Sequence, residues 1–251
     1  MKKISLYILV VIVLGALGFG VYRLVSKSHV YHSLNTTHQT LRVNPPAFNT
    51  NQYSHTDPAS IWVVVNKTHP LQPLNYVPAN LVVPNVPLRV PGNQTMQMRH
   101  VAAVALQTMF QAAKSDGINL MLASGYRSFS YQTTLYNYYV RTQGQAVADT
   151  QSARPGYSEH QTGLAADVEP LSRNCEVESC FATTPEGKWL AANSYHYGFI
   201  IRYPQNGQAI TGYEYEPWHI RYIGVPAATA MQSEHIQTLE QFFNYPPAPH
   251  Y

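Results

Sequence analysis

Three short polar motifs carry residue types that hydrolytic chemistry uses. Ser158-Glu159-His160-Gln161-Thr162-Gly163-Leu164-Ala165-Ala166-Asp167 sets a histidine and an aspartate seven positions apart, with a glycine between them able to turn the chain into a strand. Glu216-Pro217-Trp218-His219 adds a second histidine, preceded by a glutamate three positions earlier. Imidazole nitrogen and carboxylate oxygen are both good zinc ligands. Two histidines and one aspartate leave a fourth position for water, as a catalytic zinc site requires. His160, Asp167 and His219 are therefore the expected metal ligands, and Glu216 the expected general base.

The spacing of the second motif contains a check. Residues an odd number apart on a regular strand point to opposite faces. Glu216 and His219 would be split in this way. Pro217 is disfavoured inside a ladder, so it predicts that Glu216 sits in the turn just before the strand that bears His219. In the third motif, Ser124-Gly125-Tyr126-Arg127-Ser128, the glycine permits a tight turn after a predicted strand and presents Arg127 at the strand's end. A planar guanidinium there can grip a terminal carboxylate with two parallel hydrogen bonds. Of the eleven histidines, the nine other than His160 and His219 read as ordinary structural or surface residues.

The elements that must position these groups follow from periodicity. Met96 to Lys114 carries apolar residues at helical spacing and stops at Asp116-Gly117, after which Ile118 to Ala123 reads as a buried strand. Tyr131 to Gln143 and Glu186 to Tyr197 look helical. Ile61 to Val65, Phe199 to Tyr203 and Trp218 to Ile223 are rich in β-branched and aromatic residues and read as strands. The order is mixed, without regular β-α-β alternation. The expected class is α+β, a small, mostly antiparallel sheet flanked by helices in a single domain over residues 61–251.

Ahead of that domain, Lys2 and Lys3 precede an uncharged run from Ile4 to Tyr22 that is long enough to cross a bilayer's hydrocarbon core. Residues 1–27 thus read as a membrane anchor, with cleavage near Ala16-Leu17-Gly18 as the secretory alternative. Residues 28–60, rich in Asn, Thr, His and Pro, read as a flexible linker. Two basic residues on each side of the run leave its orientation open, and the cysteines and the hydrolytic chemistry are what place the domain outside the cytoplasm, on the membrane or secreted. Cys175 and Cys180, the only cysteines, can close a local disulfide in an oxidising compartment, or stay as two unpaired thiols. A net charge of +3, dispersed along 251 residues, is too small for a nucleic-acid footprint. Nineteen tyrosines supply apolar rings with polar tips, most of them expected to pack.

Together the three motifs, with Tyr197-Gly198-Phe199-Ile200 and the extended Glu216-Pro217-Trp218-His219-Ile220-Arg221-Tyr222, resemble the zinc D,D- and L,D-carboxypeptidases of bacterial peptidoglycan. That family includes the vancomycin-resistance carboxypeptidases, and the resemblance spans roughly Trp62 to Ala230. It implies one zinc ion on His160, Asp167 and His219, Glu216 as base, and Arg127 polarising or anchoring the substrate. It further implies that Gln132 and Ser158 lie near the bound peptide. The expected reaction is removal of the C-terminal D-alanine from a stem peptide, through a D,D or an L,D bond. The rival readings are a non-catalytic zinc module binding cell-wall peptides or a protein, and an endopeptidase with a groove open at both ends.

Overall fold

The computed structural model describes residues 48–251. Residues 1–27, read as an anchor or signal, lie outside the described residues, as does the linker up to residue 47. Among the described residues no helix is long and apolar enough to cross a membrane.

A four-stranded antiparallel sheet organises the domain. Its strands are β3 (Leu120–Ser124), β4 (Ala165–Pro170), β5 (Phe199–Tyr203) and β6 (Glu216–Tyr222), in the spatial order β3-β4-β6-β5. Successive strand residues face opposite ways, so each strand divides its side chains between two environments. Leu120, Leu122, Ala166, Val168 and Ile220 join one core with α1 (His100–Ser115), which contributes Ala102, Leu106, Met109, Phe110 and Ala113. The alternate residues Asp167, His219 and Arg221 go to the other face, where β4 and β6 are locked by the pairing of Asp167 with His219. A second core gathers Trp62, Val64, Ile200, Ile223, Met231, Leu239, Phe242 and Phe243 around α6 (Val225–Ser233) and α7 (Leu239–Phe242). The mixed, antiparallel architecture is the α+β class that the sequence predicts.

The remaining helices are α2 (Phe129–Gln143), α3 (Gln145–Gln151), α4 (Pro185–Asn193) and α5 (Gln208–Thr211). Ser128 caps α2, its hydroxyl accepting from the Tyr131 backbone N–H at 3.2 Å, so the helix begins two residues before the expected Tyr131. The short two-stranded sheet of β1 (Leu81–Val82) and β2 (Met98–Arg99) claims the segment in which α1 was expected to start. That helix therefore begins at His100 rather than Met96. At its other end α1 stops at Asp116-Gly117, as the sequence predicts. Helix α4 ends at Asn193, and Ser194–Tyr197 continues as a 3-10 turn before Gly198.

Three expectations are corrected. Trp62 to Val65 is buried and Ile61 half-buried, but the run is not a strand; the Ile61 and Val63 carbonyls accept instead from the Arg221 guanidinium, at 3.1 and 2.8 Å. The last part of the predicted linker is docked on the domain: Phe48 packs on Trp62 and Phe242, and His55 on Phe243 with ring centroids 4.1 Å apart. Glu216 is the first residue of β6, not a turn residue before it.

Candidate active site

Strand β4 ends the first motif and positions Asp167. Ahead of it, Glu159–Thr162 forms a 3-10 turn closed by Gly163 at φ +68°. A side chain at Gly163 would press on the Arg99 backbone nitrogen at 3.1 Å, so the turn needs glycine for its conformation and for its space. This turn delivers His160 beside Asp167. Its Nδ1 donates to the Gly125 carbonyl at 2.6 Å, leaving Nε2 buried without a protein partner. Gly125 itself tolerates no Cβ, which would strike the Gln97 carbonyl oxygen.

His219 and Glu216 come from one strand by a device that the sequence does not display. Ile201 pairs with Ile220, but Tyr203 pairs with Glu216, so β6 carries two more residues than β5 across this interval. Such an irregularity bends the strand and re-aims side chains. It brings Glu216 Oε2 to 3.2 Å from His219 Nδ1. The parity conflict is resolved inside the ladder.

His160 Nε2 lies 3.4 Å from Asp167 Oδ1, and His219 Nδ1 lies 3.5 Å from the same oxygen. Ligands on a tetrahedral zinc, with bonds of about 2.0–2.2 Å, stand about 3.4 Å apart. The three residues form a group with ligand atoms within 4.8 Å of one another. All three are buried, and His160 Nε2 has no protein hydrogen-bond partner where it meets Asp167. Their chemistry and spacing fit a zinc ion.

The electrostatics fit as well. Burial lowers the pKa of His160 to about 4, helped by the nearby Arg127 cation, so its ring is neutral near pH 7 and free to act as a ligand. Burial opposes ionisation of Asp167, but His160 and Arg127 outweigh it and hold the carboxyl below the usual range. Burial likewise disfavours a charged His219, but Glu159 and Glu216 outweigh it and raise the ring to about 9. The pocket thus favours positive charge beside its carboxylates. Burial raises the pKa of Glu216, while His219 opposes that shift.

Arg127 reaches the site, but not with the free fork expected. Its Nε donates to Ser124 Oγ at 3.0 Å and its Nη2 to Asp167 Oδ2. Nη1 is the end left for a ligand. Asp167 therefore turns Oδ1 to the metal position and Oδ2 to the guanidinium.

These groups open into a cavity of about 690 Å³, within the usual range for small-molecule sites. Ser158 and Gln132 line it, both buried. Gln132 Nε2 donates to Ser152 Oγ and the Ala153 carbonyl at 3.2 and 2.8 Å, leaving Oε1 without a protein partner. One wall is the loop closed by Cys175 and Cys180, which are joined as a disulfide and present Val177, Glu178 and Ser179. Arg89 pins that loop, bonding Glu176 at 2.6 Å and the buried Glu169 at 3.2 Å. The opposite wall includes Tyr213, whose hydroxyl meets that of Tyr251 at 3.0 Å.

Sequence reasoning missed the buried charges behind His219. Glu159 Oε1 accepts from Arg202 Nε at 2.8 Å and Arg221 Nη1 at 2.6 Å, and the other end of Arg202 forks onto both Glu240 oxygens at 2.8 and 3.0 Å. Asn66 also donates to Glu240, at 3.1 Å. The available signal was an arginine within each of two predicted strands, Phe199 to Tyr203 and Trp218 to Ile223, where solvent-facing and paired residues look alike.

The site's geometry has counterparts. The YodJ protein of Bacillus subtilis (strain 168), assigned as a carboxypeptidase, is 46% identical over 188 residues, covering 74% of this chain and 68% of that protein. The solved LdcB LD-carboxypeptidase, a structure that addresses peptidoglycan recognition, is 46% identical with a TM-score of 0.70, covering 74% of this chain and 87% of that one. The vancomycin-resistance D,D-pentapeptidase VanY, solved with Zn(II), is 32% identical with a TM-score of 0.61, covering 74% and 99%. A family model described as "VanY: D-alanyl-D-alanine carboxypeptidase" matches residues 95–225, the span that holds all three motifs, and the chain belongs to that carboxypeptidase family.

Proposed function

We propose that this chain is a zinc-dependent carboxypeptidase that removes the C-terminal D-alanine from peptidoglycan stem peptides. The observation that carries the reading is the convergence of His160 Nε2, Asp167 Oδ1 and His219 Nδ1 at tetrahedral spacing beside the uncoordinated carboxylate of Glu216. The related VanY structure with Zn(II) supports the choice of metal. Between the two possible bonds, the 46% identity to LdcB against 32% to VanY favours the L,D bond of a tetrapeptide stem. The bonded cysteines favour an extracytoplasmic setting, with residues 1–27 as the membrane anchor or secretion signal.

Zinc in such a site supplies Lewis-acid polarisation and lowers the pKa of water. The chain's own groups do the rest. Glu216 accepts the proton of the attacking water, and its raised pKa suits it to hold that proton and hand it to the leaving amine. Arg127 Nη1 faces the charge carried by the substrate, either its terminal carboxylate or the oxygen of the attacked carbonyl. Ser158 and Gln132 Oε1 offer polar contacts to the peptide along the cleft.

Mass spectrometry of defined tetrapeptide and pentapeptide stems, incubated with the zinc-loaded protein, tests this. Loss of D-alanine from the tetrapeptide, abolished by chelator, is expected. Cleavage of the pentapeptide alone would overturn the L,D assignment, and intact peptides throughout would leave a binding module. Glu216→Ala should keep its zinc and lose on the order of 10²-fold or more in turnover. Near-normal turnover would remove Glu216 from its role.

A further inference from the structure

We propose that Glu159 is the positioning residue for His219, accepting the Nε2 proton of that ring so that Nδ1 is presented to the metal. This rests on the zinc reading above.

Two buried atoms carry the argument. Glu159 Oε2 and His219 Nε2 have no hydrogen-bond partner, and they lie 3.9 Å from each other. A buried polar atom left unpaired forfeits its hydration with nothing in return, so an orphan acceptor facing an orphan ring nitrogen marks a bond that a small ring movement completes. His219 turns Nδ1 toward Asp167 and Glu216. A neutral imidazole using Nδ1 as a ligand must carry its proton on Nε2, and Glu159 is the acceptor at that end.

The carboxylate is fixed in place from its other side. Oε1 is held by Arg202 and Arg221, and those guanidiniums are themselves anchored, Arg202 by Glu240 and Arg221 by the carbonyls of Ile61, Val63 and Tyr222. Glu159 cannot rotate to satisfy Oε2 elsewhere without breaking these bonds. The two histidines are thus oriented through opposite nitrogens and by unlike acceptors: His160 by the neutral Gly125 carbonyl, His219 by a carboxylate. The adjacent residues Glu159 and His160 divide the work, one orienting a ligand and the next being one.

The test compares Glu159→Gln with Glu240→Gln in the full chain. The glutamine amide must keep its oxygen on the two arginines, so at position 159 it turns an NH2 donor toward the His219 N–H. Glu240→Gln disturbs the same Arg202 without touching His219. Zinc affinity, measured by competition with a chromophoric chelator, should weaken about 10–100-fold in Glu159→Gln. It should stay within about threefold of wild type in Glu240→Gln, although both variants melt at lower temperature. Equal weakening in both, or none in Glu159→Gln, would overturn the proposal. Nitrogen-15 NMR of the zinc-loaded wild type gives a second reading that needs no variant to fold. A His219 ring protonated at Nε2 is expected, and one protonated at Nδ1 would overturn the assignment. Failure of the wild type to bind zinc at all would instead sink the zinc reading itself.

Discussion

His219 stands between two clusters of buried charge built from the same residue types and finished differently. On the cleft side, Asp167, Glu216 and Arg127 surround a convergence point, and His160 Nε2 is left without a protein partner. On the sealed side, Glu159, Glu240, Arg202 and Arg221 balance two negative against two positive charges, and the guanidinium nitrogens of Arg202 and Arg221 each find an acceptor. A charge network whose cations are all paired holds elements together. One that leaves a gap among buried ligands is arranged around something it has yet to bind. Burial follows the same division: the sealed side chains are fully withdrawn from water, while Arg127 and Glu216 on the cleft side keep 18% and 13% of their exposure.

The sharpest way to break this contrast is to damage each side and measure both activity and stability. Glu216→Ala should cost turnover on the order of 10²-fold while leaving thermal unfolding almost unchanged, since its side chain lines the open cavity. Glu240→Gln should do the reverse. Removing one partner of a buried pair leaves an uncompensated charge, and about 3–5 kcal/mol of unfolding free energy should be lost in denaturant titration. A loss of activity without loss of stability in that variant would erase the distinction.

The tyrosines between the clusters and the opposite wall should give a somewhat smaller effect, visible only in alkali. Burial raises the pKa of Tyr203 and Tyr213 well above 10, and that of Tyr251 to about 12. The unfolded chain releases these protons near pH 10 while the folded chain retains them. The stabilisation is therefore complete below pH 10 and is lost as pH rises toward 12. For Tyr251 alone two units correspond to about 2–3 kcal/mol. Melting curves between pH 9 and 12 should show the decline, shallower in Tyr251→Phe. The smallest expected effect is at the disulfide wall. Its loop is short, so replacing Cys175 and Cys180 by serine should cost no more than about 2 kcal/mol, with the change in catalysis confined to KM. A fall in zinc affinity there would mean that the wall reaches further into the site than its contacts indicate.

The cleft cluster was legible in the sequence because metal ligands must be particular residues at particular spacings, and His160, Asp167, His219 and Glu216 each fall inside a motif. Their meeting in space follows from β4 and β6 being neighbours. The sealed cluster was not legible. Nothing distinguishes Arg202 in a strand from an arginine at a wet edge until Glu159 and Glu240 are seen to meet it from distant segments. Ile61 to Val65 misled for a related reason, because its apolar composition signals burial but not which donor takes its carbonyls. Phe48 and His55 lie in a polar stretch that reads as a tether, yet their rings cover Trp62 and Phe243. Composition averaged over a window hides two aromatic anchors.

The mismatched register between β5 and β6 has a consequence for how this segment can vary. Because the surplus length in β6 sets where Glu216 falls relative to His219, the number of residues between them is constrained more tightly than their identities. Trp218, partly exposed in the cleft wall, can be exchanged for other large side chains, whereas an insertion or deletion of one residue would hand the proton acceptor to the wrong face of the sheet. Natural drift and laboratory libraries alike should find this stretch permissive in chemistry and rigid in length.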